Sequence, residues 1–155
     1  MAEPISLSQI KSLRETTGVG IMEAKKALTE AQGDVVKATQ LLKKWGAEKL
    51  ADREDKATNE GQVFTYAHHD GKLGSLVKLT CETDFVARSQ EFQTLGKELA
   101  LQVAGMEAKT PAKLLKQVYV RDAGKTIADL VSEVAAKVKE KLMVAAVARM
   151  KVSNT

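Results

Sequence analysis

In Val63-Phe64-Thr65-Tyr66-Ala67-His68-His69-Asp70-Gly71-Lys72-Leu73-Gly74-Ser75-Leu76-Val77-Lys78-Leu79-Thr80-Cys81 the hydrophobic period of the chain switches from helical to two. Val63, Thr65 and Ala67 alternate with Phe64 and Tyr66, as in a strand with two unlike faces. His68-His69-Asp70-Gly71 supplies a turn, and Asp-Gly is a strong local hairpin signal. Leu73 to Cys81 reads as the return strand, with Val77, Leu79 and Cys81 on one face.

Downstream of this hairpin the chain turns helical. Ser89 can cap a helix bearing Phe92, Leu95, Leu99 and Val103. Thr110-Pro111 starts a short helix with Pro at its first position. Asp122-Ala123-Gly124 reads as a turn. Thr126 caps a further helix, with Asp129 at N3 and Ile127, Leu130, Val131, Val134 and Val138 on its apolar face. Leu142 to Val152, rich in Val and Ala, reads as a third strand. This order predicts an α+β core over residues 59–155, with helices packed on one face of a small antiparallel three-stranded sheet.

Upstream, residues 1–46 predict three short helices with glycine corners. Ser6-Leu7-Ser8-Gln9 is a capping box, and Ile5 and Ile10 stand at staple positions. The first helix, about Leu7 to Thr16, places Leu7, Ile10 and Leu13 on one face and breaks at Gly18-Val19-Gly20. The second, about Ile21 to Gln32, carries Ile21, Ala24, Leu28 and Ala31. Gly33 ends it and Asp34 caps the third, which carries Ala38, Leu41, Leu42 and Trp45 and is expected to stop at Gly46. Residues 47–58 are charged, lack Pro and Gly, and read as a linker helix.

Composition narrows the chemistry. The 155 residues hold one cysteine, Cys81, which excludes an internal disulfide framework and any Cys-rich zinc site and points to a reducing cytoplasm. No basic, apolar leader stands at the N-terminus, and the uncharged run Leu142 to Ala148 is far too short to span a bilayer, so no membrane partner is expected. The net charge of +4 is spread out, with 10 basic against 9 acidic residues in 1–56 and 14 against 11 in the remainder. Without a basic cluster or interleaved aromatics, no nucleic-acid partner is expected.

A thiol nucleophile could be assembled on paper from Cys81, His68, His69 and Asp84, but Cys81 falls on the inward alternation of a strand, where a free cysteine acts as a small hydrophobe. Two adjacent histidines on a turn do not converge on a metal, and there is no phosphate-binding glycine loop of the P-loop type. Neither catalytic residues, metal nor cofactor is therefore expected. The segment that stands out is Cys81-Glu82-Thr83-Asp84-Phe85-Val86-Ala87-Arg88, which joins strand to helix and places a scarce aromatic in a polar junction. By propensity Phe85 and Val86 would fold back as core; as a loop feature Phe85 would instead bind a partner.

This segment, with Phe92 after it, resembles the most diagnostic stretch of the bacterial elongation factor Ts family. Leu13-Arg14-Glu15-Thr16-Thr17-Gly18-Val19-Gly20-Ile21-Met22, with Lys25-Lys26-Ala27-Leu28 and Gly33-Asp34, resembles that family's ubiquitin-associated-like N-terminal domain, and Lys125-Thr126-Ile127 onward resembles its closing helix and strand. The resemblance implies a nucleotide exchange factor, not an enzyme, that binds elongation factor Tu carrying GDP. Asp84 and Phe85 would approach the partner's GTP-binding domain, with Phe85 wedged between two helices, while Thr83, Asp84 and Val86 shape the presenting turn of this partner-binding segment. That would displace the partner's magnesium-binding elements and weaken its hold on GDP. Arg14, Ile21, Met22 and Lys25 match positions where the N-terminal module touches the same domain. The alternative reading is a non-catalytic protein-interaction adaptor.

Three departures from the family accompany the match. Ile21-Met22 stands where many relatives carry Met-Met. Lys139-Glu140-Lys141 stands where the family has Gly-Glu-Asn. The chain has one core subdomain where longer members have two. Tyr66-Ala67-His68, with Gly71 to Val77, resembles the second subdomain's contact, so both contact signatures fall on one core. This favours a homodimer in which one protomer supplies Asp84 and Phe85 and the other supplies His68, with the final strand as a candidate surface, the alternative being a monomer whose final strand is covered by its own helices.

Overall fold

The computed structural model describes residues 4–153. The chain divides into two compact units between Asp52 and Arg53. The first holds three helices: α1 (Leu7–Thr17), α2 (Ile21–Glu30) and α3 (Val35–Ala51). Ser6 and Gln9 form the reciprocal capping box, and Gly18, at φ 74°, ends α1 in the left-handed conformation that favours glycine. Asp34 caps α3 through the Lys37 N–H. The core joins Ile10, Leu13 and Leu28 to a run of small residues, Ala24, Ala27, Ala31 and Ala38, which lets the helices approach closely. Ile5 and Trp45 pack against it.

The first unit corrects three expectations. Leu7 and Ile21 are exposed, so the buried stripes of α1 and α2 begin one turn later, at Ile10 and Ala24. Helix α3 does not stop at Gly46 but runs through it to Ala51. A lone interior glycine costs only about 1 kcal/mol, which neighbouring helix formers offset. Residues 47–58 are therefore not a separate linker helix: the first five complete α3, and the rest are turns and irregular chain.

The second unit is the expected α+β fold. Strands β1 (Glu60–Ala67), β2 (Leu73–Cys81) and β5 (Met143–Lys151) form an antiparallel sheet in the order β1-β2-β5. Between β2 and β5 come α4 (Asp84–Ala87), α5 (Gln90–Met106), α6 (Pro111–Lys116), β3 (Val118–Tyr119), β4 (Asp122–Thr126) and α7 (Ile127–Val138). Phe64, Val77, Leu79, Cys81 and Val144 turn inward and meet Phe92, Leu95, Leu99, Val103, Ile127 and Val131 in one core. Helix α5 lies close on the sheet because Gly96 leaves room for the Phe64 ring, which a Cβ there would strike.

Asp122-Ala123-Gly124 is not a turn but part of β4, which pairs antiparallel with the two-residue β3. This small hairpin is pinned from α5. The buried Gln102 amide donates to the Gln117 side chain at 3.1 Å and the Val118 carbonyl at 3.0 Å, and accepts from the Val120 N–H at 3.1 Å. In β5 the register against β2 shifts between Lys78 and Leu79, leaving Ala145 unpaired as a bulge. Val144 and Val147, three apart, therefore both face the helices, as does Arg149, whose Nε donates to the Ala104 carbonyl at 2.9 Å.

Candidate functional site

The junction after β2 is built by successive caps. Thr83 is the N-cap of α4, and its hydroxyl accepts the Val86 N–H at 3.3 Å. Ser89 closes the far side: its hydroxyl donates to the Val86 carbonyl at 2.7 Å and accepts the Phe92 N–H at 3.3 Å, so the first turn ends where α5 begins. Between these caps the four residues of α4 divide by direction. Val86 and Ala87 are buried in the core, whereas Phe85 is 79% exposed. Propensity is thus right for Val86 and wrong for Phe85. Asp84 stays at the surface and pairs with Arg88 at 3.0 Å, an exposed i,i+4 contact of little energetic weight.

Distant residues support the turn from behind. The Glu140 carboxylate accepts both the Thr83 N–H, at 3.0 Å, and the Thr83 hydroxyl, at 2.7 Å. Glu82 accepts from the Arg53 guanidinium at 3.1 Å and from the Lys141 N–H at 3.1 Å. The sequence reading gave Glu140, Glu82 and Arg53 no part here. They lie 29 to 59 residues from their partners, so no local period could signal them.

Cys81 is wholly buried, and its Sγ donates to the Thr83 carbonyl at 3.1 Å. Burial, reinforced by the negative charge of Glu140, raises the thiol to about 11. It stays protonated at neutral pH, which removes the thiol-enzyme reading.

The remaining candidate residues lie elsewhere. His68 sits at the hairpin end of β2, opposite the Phe85 end, with its Nδ1 2.9 Å from the Tyr66 hydroxyl and its ring centroid 4.2 Å from that of His69. In the first unit, Ile21 and Met22 are exposed at the start of α2, and Met22 is 74% exposed. Arg14 reaches the same corner, its Nε donating to the Val19 carbonyl at 3.4 Å, and exposed Lys25 follows one turn along α2. Among the described residues no cluster of three or more His, Cys, Asp or Glu is placed to hold a metal, and no helix is long and apolar enough to cross a membrane.

The chain thus combines a three-helix module with an α+β unit that displays a phenylalanine from a capped single turn. The family model described as Elongation factor TS matches residues 82–155. An elongation factor Ts from Leptospira biflexa is 37% identical, covering 97% of this chain and 98% of its own length. One from Petrotoga mobilis is 42% identical over 76% of this chain, and one from Anaeromyxobacter dehalogenans is 53% identical over 67%. The chain belongs to the elongation factor Ts family. It spans 64% of the length of the Petrotoga relative and 47% of that of the Anaeromyxobacter one.

Proposed function

We propose that the chain is a guanine nucleotide exchange factor for elongation factor Tu, acting in the cytoplasm as a homodimer. The observation that carries the reading is Phe85, an aromatic held in solvent on a capped turn that buries Val86 and Ala87 beside it. Leaving a phenylalanine exposed forgoes roughly 2 kcal/mol of burial, a cost that a partner's pocket would recover. With Phe85 docked between two helices of the GTP-binding domain, and Thr83, Asp84 and the core-anchored Val86 shaping the turn that presents it, the elements that hold magnesium would be displaced. Arg14, Ile21, Met22 and Lys25 would touch the same domain. The mechanism is linkage: a factor that binds the nucleotide-free state more tightly must lower GDP affinity by the same factor. No bond is made or broken in the chain itself.

The test is stopped-flow release of fluorescent GDP from elongation factor Tu. The wild-type chain accelerates release. Phe85→Ala keeps its thermal midpoint and loses about thirty-fold in exchange, the equivalent of about 2 kcal/mol for one interface aromatic. A collapse in stability with exchange per folded molecule unchanged would return Phe85 to the core. Binding without any release would favour the adaptor.

A further inference from the structure

We infer that Glu140 is a positioning residue for the partner-binding turn: from the α7–β5 connection its carboxylate directs the Thr83 hydroxyl, and through it the one-turn helix that holds Phe85 in solvent. The inference rests on the exchange reading of Phe85.

A threonine hydroxyl has one proton and two lone pairs. Here the proton goes to Glu140 Oε2 at 2.7 Å, in the range of charge-assisted bonds. The lone pairs are thereby turned toward the Val86 N–H, which is bonded at 3.3 Å. The other carboxylate oxygen takes the Thr83 N–H at 3.0 Å. One side chain thus fixes both donors of the capping residue.

The turn needs such help. A helix of four residues cannot sustain itself, because nucleation fixes more dihedrals than its hydrogen bonds repay. Val86 and Ala87 anchor one side in the core, whereas Phe85 belongs to neither hydrophobic cluster. The direction of Phe85 is set by the backbone between Thr83 and Val86, which Glu140 grips.

The arm that carries Glu140 is itself fixed. Lys139 ends α7 at φ 59° and turns the chain back toward the sheet. The next N–H, of Lys141, is bonded to Glu82 at 3.1 Å. Three bonds therefore stitch residues 140–141 to residues 82–83. Glu140 is only half-buried and belongs to neither hydrophobic core. Its removal therefore leaves the packing in place.

The experiment uses the full chain, 15N-labelled, as wild type, Glu140→Ala and Glu140→Gln. Amide hydrogen exchange is read at Thr83 and Val86, with the amides of β2 as reference, and GDP release from elongation factor Tu is measured on the same samples. In Glu140→Ala the Thr83 and Val86 amides exchange about ten-fold faster while β2 is unchanged, and GDP release slows by about ten-fold, the scale of one hydrogen bond to a charged group. Glu140→Gln keeps an acceptor for the Thr83 N–H and recovers part of both. The inference is overturned by unchanged amides in Glu140→Ala, by β2 amides that move with them, or by a loosened turn that still releases GDP at the wild-type rate. If the wild-type chain itself fails to release GDP, the exchange reading is lost, while the amide data still decide whether Glu140 holds the turn.

Discussion

Cys81 and Phe85 are four residues apart and face opposite worlds: strand alternation turns the first inward, and a capped single turn holds the second in solvent. Cys81 closes the inward alternation of β2, where it is buried and held protonated. Its thiol releases a proton near its ordinary 9.0 in the unfolded chain but near 11 in the fold. Between these values the unfolded state binds fewer protons, so the fold loses stability as pH rises from 9.0 toward 11, and is unaffected by this group below 9.0. Urea midpoints measured through that window should fall for wild type and fall less for Cys81→Ala. At pH near 8, set well below the folded value, iodoacetamide should label the native chain far more slowly than the urea-unfolded one. Equal labelling rates would contradict a buried, protonated thiol. The inward place of Cys81 was legible from strand alternation alone. Propensity would have buried Phe85 and only the family resemblance favoured its exposure, because the hydrogen bonds about its turn, from Thr83, Ser89 and a carboxylate 57 residues away, carry no local period.

Among the elements, those specified by neighbouring residues were readable and those specified from afar were not. The capping boxes at Ser6 and Thr126, the Asp34 cap and the Asp70-Gly71 hairpin each lie within a few residues of sequence, and each forms. The β3–β4 hairpin escaped notice because its strands are short and its hold comes from Gln102 on α5. The bulge at Ala145 escaped because nothing in an Ala-Val run distinguishes strict alternation from one residue too many. The C-terminus of α7 carries a cost that can be measured. Lys139 adopts the left-handed conformation at φ 59°, where a side chain is penalised and glycine is not. Lys139→Gly should therefore raise stability by about 1 kcal/mol, read as a shift in urea midpoint with an unchanged slope. A loss of stability would mean that the lysine side chain contributes more than its backbone strain costs.

On the scale of the whole molecule, the sheet poses a problem of reach and of coverage. Its helices cover one face. The other presents Val63, Leu76, Ala146, Ala148 and Met150, interrupted by Lys78, and Met150 is 81% exposed. His68 and Phe85 stand at opposite ends of β2, whose nine residues span roughly 25 Å. A second copy laid on the uncovered face by a two-fold axis would bury these apolar side chains and bring a second set of both contacts. Each bound elongation factor Tu would then meet Asp84 and Phe85 of one protomer and His68 of the other. Light scattering at micromolar concentration should give the mass of a dimer, and Leu76→Asp, which buries a charge at the proposed interface, should return it to a monomer. Mixing Phe85→Ala with His68→Ala chains supplies the functional arm. Half of the randomly reassorted dimers would be mixed, each with one intact composite site, so exchange should recover to about a quarter of wild type. A monomer mass at every concentration, with no recovery on mixing, would place both contacts on a single copy and leave the apolar face to another partner.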